Sequence, residues 1–187
     1  FYILGLMKTG EFLIATPNII GDNNFQRAVV LLVDDKKSGA IGFILNKKLN
    51  YTLDELMEGF SVKVPLYFGG PVEQDSLFFI HTQADLIPNS TFISNNFYWS
   101  SDYKKIIELI NKEKIKEDQI QFFLGYSGWS DNQLKNEIEN KSWVLADPTS
   151  DVNWILNSCT SLWREHMTAL GGKYLLWSNT PENPNWN

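Results

Sequence analysis

Two stretches of this chain, Arg27 to Val33 and Ala40 to Leu45, are nearly unbroken apolar runs rich in β-branched residues. A strand with one face in water alternates apolar and polar residues, whereas a continuous apolar run belongs to a strand covered on both faces. Between the two runs lies Asp34-Asp35-Lys36-Lys37-Ser38-Gly39, a polar segment ending in glycine, so the pair reads as a hairpin. The rest of the chain must therefore cover both sides of this hairpin.

Further elements are legible on either side of it. Thr52 stands at an N-cap, with Glu55 three residues on and Tyr51 and Leu56 placed as a hydrophobic staple, and the short helix ends at Gly59. Strands are predicted at Pro65 to Phe68 and Leu77 to His81, with a weaker one around Thr91 to Tyr98. Ser101 caps a helix from Asp102 to about Lys112, with Tyr103, Ile106, Ile107 and Ile110 on one face. Gln119 to Leu124 reads as a strand, Asp131 to Asn140 as a helix and Trp143 to Ala146 as a short strand. Leu162, Met167 and Leu170, closed by Gly171-Gly172, predict a last helix. The polar, Pro-rich stretch from Asn179 to Asn187 reads as a loosely attached end.

Strands and helices interleave, yet neighbouring strands are joined by hairpins. This predicts an α+β fold with a mixed or barrel-like sheet flanked by helices rather than a doubly wound parallel sheet. No repeat or linker divides the 187 residues, so residues 1–187 read as one domain. A domain of that length buries roughly 70 % of its unfolded surface.

Composition narrows the function classes. Apolar content of 43 % against 20 % charged fits a globular chain and excludes disorder. The net charge of −6 disfavours direct nucleic-acid binding, because phosphate backbones attract excess Lys and Arg. The basic runs, Lys36-Lys37, Lys47-Lys48, Lys104-Lys105 and the mixed Lys112 to Lys116, are short and read as solvated faces. Cys159 is the only cysteine, so no internal disulfide forms and a reducing compartment is expected. Phe1 to Met7 is too short to span a membrane, and no later apolar run reaches about 18 residues. The expectation is a soluble cytoplasmic protein without membrane association.

Gly125-Tyr126-Ser127-Gly128-Trp129 after an apolar run could form a nucleophile turn, but the G-x-S-x-G pattern needs a glycine two places after the serine, where Trp129 stands. Ser130 with Gln133, and Trp129 with Leu134, match a capping box and a staple, so the segment reads as a self-capped strand-to-helix corner. Gly69-Gly70-Pro71 after a strand permits a close approach of backbone or ligand. His81, ending an apolar run, reads as a hydrogen-bonded structural histidine. Glu137 shares a helix face with Gln133, where a general base is conceivable without a nameable partner. No metal-ligand spacing occurs, and no metal or cofactor is expected. Asn46, Gly69-Gly70 and Tyr126 to Trp129 each follow a predicted strand, so near-parallel strands would gather them at one sheet edge.

Taken in order, these motifs resemble the bacterial YqgE/AlgH family. The match runs through Gly10-Glu11-Phe12-Leu13-Ile14-Ala15-Thr16-Pro17, Phe25, Arg27, Val29-Val30, Gly39 to Asn46, Gly69-Gly70-Pro71-Val72 and His81. Its strongest block is Gly125 to Trp129 with Gln133-Leu134 and Glu137-Ile138, and coverage extends from about Gly10 to Gly172. The resemblance implies a single α+β domain. It brings no established catalytic residues, and its AlgH member is described as a transcriptional regulator of alginate genes. The family commonly has Ala where Ser127 stands, which argues against an obligatory nucleophile there. Members often carry a His in the loop where this chain has Asp34-Asp35, so a shared His-based function of that loop is not expected.

Two functional expectations follow. The first is a non-enzymatic cytoplasmic binding or regulatory protein, linked to transcription through a protein partner. The second is a small-molecule binding protein or enzyme using Asn46, Gly69, Gly70, Pro71, Tyr126, Trp129 and Gln133 as ligand-binding residues. A protein-interaction module would instead show exposed tryptophans in one surface patch.

Overall fold

The computed structural model describes residues 7–19, 21–36, 39–130, 132–147, 156 and 160–180. Ten strands occur among them: β1 (Phe12–Ala15), β2 (Val29–Lys36), β3 (Gly39–Ile44), β4 (Lys48–Thr52), β5 (Pro65–Phe68), β6 (Val72–His81), β7 (Thr91–Ser94), β8 (Phe97–Ser100), β9 (Ile120–Ser130) and β10 (Trp143–Ala146). The helices are α1 (Leu53–Leu56), α2 (Tyr103–Asn111), α3 (Gln133–Glu139), α4 (Leu162–Leu170) and α5 (Lys173–Ser178). The strands form one sheet in the order β10-β1-β2-β3-β9-β6-β8-β7, with β5 joining β9 and β4 pairing β5. Every pair is antiparallel except β5–β9, so the sheet is mixed, and it is open rather than closed into a barrel.

The doubly apolar hairpin forms as expected. Phe12, Ile14, Val29, Leu31 and Val33 pack on one face with Leu162, Trp163 and Met167 of α4. Their neighbours Leu13, Ala15, Val30 and Leu32 pack on the other face with Leu134 of α3, Trp129 and Trp143. The period of two sends successive residues to opposite layers, which is why the runs had to be continuous. Full burial of each large side chain contributes roughly 2 kcal/mol. Around β5, β6 and β9 a further core joins Leu66, Phe79 and Phe122 to Leu53 of α1 and to Ile106, Leu109 and Ile110 of α2.

Several expectations need correction. Asp34 to Lys36 do not form the loop: they extend β2 and pair with Gly39 to Ile41 beyond a bulge between Leu32 and Asp34. The weak strand near Thr91 is two strands, β7 and β8, joined at Asn95-Asn96 with φ of 45° and 69°. Two left-handed residues make the primed turn whose twist suits a two-residue hairpin, and asparagine tolerates it. The buried stripe of α2 is Ile106, Leu109 and Ile110, rotated away from Tyr103, which is 39 % exposed. In α1 the Thr52 N–H donates to Glu55 Oε2 at 2.9 Å, but Tyr51 and Leu56 are exposed and the helix ends at Leu56, before Gly59. Gly171 and Gly172 end α4 but lead at once into α5, a helix the sequence did not signal.

The largest correction concerns β9. The expected corner at Gly125 to Ser130 is the second half of one long strand. Leu66 to Phe68 of β5 run parallel to Phe122 to Leu124, whereas Gly39 to Gly42 of β3 pair antiparallel with Ser127 to Ser130. The strand changes partner at Gly125, whose φ is +68°. There the backbones touch: a Cβ on Gly69 would lie 2.2 Å from the Gly125 carbonyl oxygen, and one on Gly70, at φ +155°, 2.3 Å from the Tyr126 carbonyl. Only glycine fits this seam.

Replacing Gly70 with Ala is therefore expected to cost about 4 kcal/mol or more, because backbone rather than a side chain must move. The control, Gly171→Ala, places its Cβ in open space at a φ of +66° and should cost only about 1 kcal/mol. Urea denaturation of the two variants measures the contrast.

Candidate functional site

Asn46, Gly69-Gly70 and Tyr126 come near one another, but not as loops at a sheet edge: Tyr126 to Trp129 lies within β9, and β3 pairs with that part of β9 antiparallel inside the sheet. The Ile44 N–H donates to the Gly69 carbonyl at 2.9 Å, and the buried Ser127 Oγ donates to the same oxygen at 3.0 Å. Asn46 follows Ile44 by two residues, so it lies within about 7 Å of it along the chain. Gly69 and Gly70 meet backbone from β9, and the Pro71 carbonyl accepts from Gln74 Nε2 at 3.2 Å. The Tyr126 ring meets Phe78 edge-on at 5.7 Å.

Trp129 and Gln133 belong to a different constellation, centred on Glu137. Its Oε2 accepts from the indole N–H of Trp129 at 2.9 Å and of Trp143 at 2.8 Å, while Oε1 accepts from Gln133 Nε2 at 2.9 Å. Both indoles are buried and set edge-on, 5.9 Å apart. One carboxylate thus clamps α3 to β9 and β10 through charge-assisted hydrogen bonds. The Ser130 N–H also reaches Gln133 Oε1 at 3.1 Å, yet α3 starts after Asn132, which is left-handed at φ 61°, so Ser130 ends the strand instead of capping the helix.

His81 is completely buried and bonded on both ring nitrogens. Nδ1 accepts from the Gln83 N–H at 3.1 Å, which leaves the proton on Nε2 to donate to Ser90 Oγ at 2.7 Å. Ser90 Oγ in turn donates a hydrogen bond to the Ile87 carbonyl at 2.9 Å. Burial pushes this histidine down to about 4, so it is held neutral in one tautomer.

A polar cavity of about 560 Å³ opens beside Asn46. Asn46 is itself engaged at both ends of its amide: Oδ1 accepts from the Val29 N–H at 2.9 Å, and Nδ2 donates to the Arg27 carbonyl at 2.8 Å. This grip fixes Arg27 in the left-handed region at φ 54°, with its guanidinium 4.9 Å from the centre of the Trp163 ring. Trp163 in turn donates its indole N–H to the Ala15 carbonyl at 2.7 Å, which anchors α4 to β1. Lys47 reaches the Asn23 carbonyl at 2.9 Å, and burial lowers its pKa against the opposing pull of Asp22. With Arg164 from α4, three cations line the cavity, and among its described lining residues there is no carboxylate. Of the seven residues expected to bind a ligand, only Asn46 lines it.

Sequence reading missed Arg27, Lys47 and Arg164 as a set. Arg27 stood out only as part of a motif, and Lys47 as part of a short basic run. The described tryptophans 99, 129, 143, 163 and 177 are buried or half-buried, so they form no exposed aromatic patch. Among the described residues no group of three or more His, Cys, Asp or Glu could hold a metal ion, and no helix is long and apolar enough to cross a membrane. Cys159 lies outside the described residues.

A family model described as DUF179, AlgH-like, matches residues 12–175. A UPF0301 protein of Chlorobaculum parvum is 37 % identical over 183 residues, spanning 97 % of each chain. A UPF0301 protein of Bacteroides thetaiotaomicron is 36 % identical over 185 residues, covering 97 % of this chain and 92 % of its own. Among solved structures, a Corynebacterium diphtheriae protein shares the fold with a TM-score of 0.76 at 21 % identity, covering 94 % of both chains. The solution structure of AlgH from Pseudomonas aeruginosa gives a TM-score of 0.71 at 23 % identity, covering 93 % of this chain and 94 % of that one. At these identities the two structures speak for the fold alone.

Removing the clamp with Glu137→Ala leaves two buried indole N–H groups without their acceptor, and should cost roughly 3 kcal/mol with a red shift of tryptophan emission. The neutral His81 sets a pH dependence of known sign. Above pH 6.5 its contribution is fully present; below that the unfolded chain takes up a proton that the fold refuses until about pH 4. Stability should therefore fall as the pH drops across this window, by roughly 3 kcal/mol from His81. His166, also lowered by burial, adds in the same direction. In His81→Asn, whose amide oxygen can still accept from Gln83, the drop in urea midpoint between pH 7 and pH 4.5 should be clearly smaller; an equal drop would assign the effect elsewhere.

Proposed function

The chain belongs to the AlgH-like family, and on that footing we propose that it is a non-enzymatic cytoplasmic binding protein whose ligand is a small anion held in the polar cavity. One observation carries this reading: Arg27, Lys47 and Arg164 converge on one cavity in a chain whose net charge is −6. Arg27 also donates to the Thr180 carbonyl at 2.6 Å and Lys47 feels the charge of Asp22, and an anion in the cavity would meet all three cations at once. Lys47 is partly stripped of water, so an anion also restores its preference for the charged form. Asn23, Gln26, Thr160 and Ser161 add polar atoms around the same space, and the volume suits a small molecule.

The residues expected near Gly69 and Trp129 take a supporting part in this reading. The glycine seam fixes the end of β3, and Asn46 transmits that position to Arg27. A regulatory role, including one in transcription, would run through a protein partner, since an acidic chain is poorly suited to contact a duplex directly.

Titration with inorganic phosphate, followed by 15N–1H spectra, tests the site. Shifts should concentrate at Asn23 to Arg27, Lys47 and Thr160 to Arg164, and affinity should weaken as salt is added. Lys47→Gln and Arg164→Gln should each weaken phosphate binding by about tenfold, the effect of losing one charge-assisted contact. Shifts scattered over the surface, or unchanged affinity in both variants, would overturn the proposal.

A further inference from the structure

A separate cavity of about 720 Å³ opens between the segment entering β5, the end of α2 and the start of β9. Its volume lies in the range of small-molecule sites. Val64, Ile110, Ile115, Ile120 and Phe122 give it an apolar floor. Glu113, Glu117 and Asp118 stand exposed in its lining, with Lys116 the one cation there among the described residues. The ion pairs of α2, Lys105 and Lys112 on Glu108, leave these three carboxylates out.

Glu113 shows that the acidic rim has a conformational cost. The Glu113 N–H bonds the Ile110 carbonyl at 2.9 Å and the Lys114 N–H bonds the Leu109 carbonyl at 2.9 Å, which is the Schellman termination of α2. That motif puts its C′ residue in the left-handed region, where glycine is favoured, and here Glu113 occupies it at φ 54°. A carboxylate therefore stands at the cavity where glycine would stabilise the helix end better.

We propose that this cavity is a binding site for a small amphipathic amine, with its apolar body on the floor and its ammonium group among Glu113, Glu117 and Asp118. Charge complementarity selects the head group: three carboxylates against one ammonium repel an anionic amphiphile and attract a cationic one. Among the described residues the site shares no lining residue with the polar cavity, so the two readings stand or fall separately.

Octylamine and octanoate, equal in chain length and opposite in charge, are the probes. By calorimetry and 15N–1H spectra, octylamine should bind with shifts at Val64, Ile110 and Ile120, at least about tenfold more tightly than octanoate. Added sodium chloride should weaken it. Glu113→Gly should raise the melting temperature yet bind octylamine several-fold more weakly, a combination that loss of folding cannot produce. Absence of octylamine binding, equal binding of octanoate, or unchanged affinity in Glu113→Gly would each overturn the proposal.

Discussion

The close approach of two backbones at Gly69, Gly70 and Gly125 is the constraint on which the rest of the sheet depends. Strand β9 borders β6 along one side and on the other passes from β5 to β3. A strand can change neighbours only where its edge is re-aimed, and the left-handed Gly125 supplies that bend. The absence of side chains lets the Gly69 carbonyl collect hydrogen bonds from Ile44 and Ser127. The hairpin of β2 and β3 and the core around β5 and β6 are thereby joined into one sheet.

From that seam the polar interior is organised outward. Ser127, Asn46, Glu137 and His81 are each hydrogen-bonded to the fold. Buried polar groups that are so engaged specify geometry and avoid the cost of an unmet hydrogen bond. The residues that looked reactive in sequence are therefore fixing positions. Asn46 holds the backbone of Arg27, and Glu137 ties two indoles to a helix. The groups proposed to meet a ligand are the long cations Arg27, Lys47 and Arg164, which line the cavity beside Asn46.

Local chemistry made much of the fold readable. The primary signals, continuous apolar runs, the pairing of Thr52 with Glu55 and the terminal Gly171, act over a few residues and survive without knowledge of the fold. Errors arose where distant partners decided. Asp34 to Lys36 are polar and loop-like alone, but β3 continues to pair with them. Leu109 rather than Tyr103 faces inward because the sheet beneath α2 sets which side of the helix is covered.

The sequence by itself determined the doubly covered hairpin, the interleaved α+β order and membership of the family, because each rests on residue types at short and ordered spacings. Only the tertiary structure decided that Gly125 to Ser130 remain a strand, since the bonds holding them come from β3 far back in the chain. It also decided that Arg27, Lys47 and Arg164, unremarkable as separate cations, share one cavity. Spacing along the chain cannot report that convergence; packing α4 on β1, through the indole of Trp163, creates it.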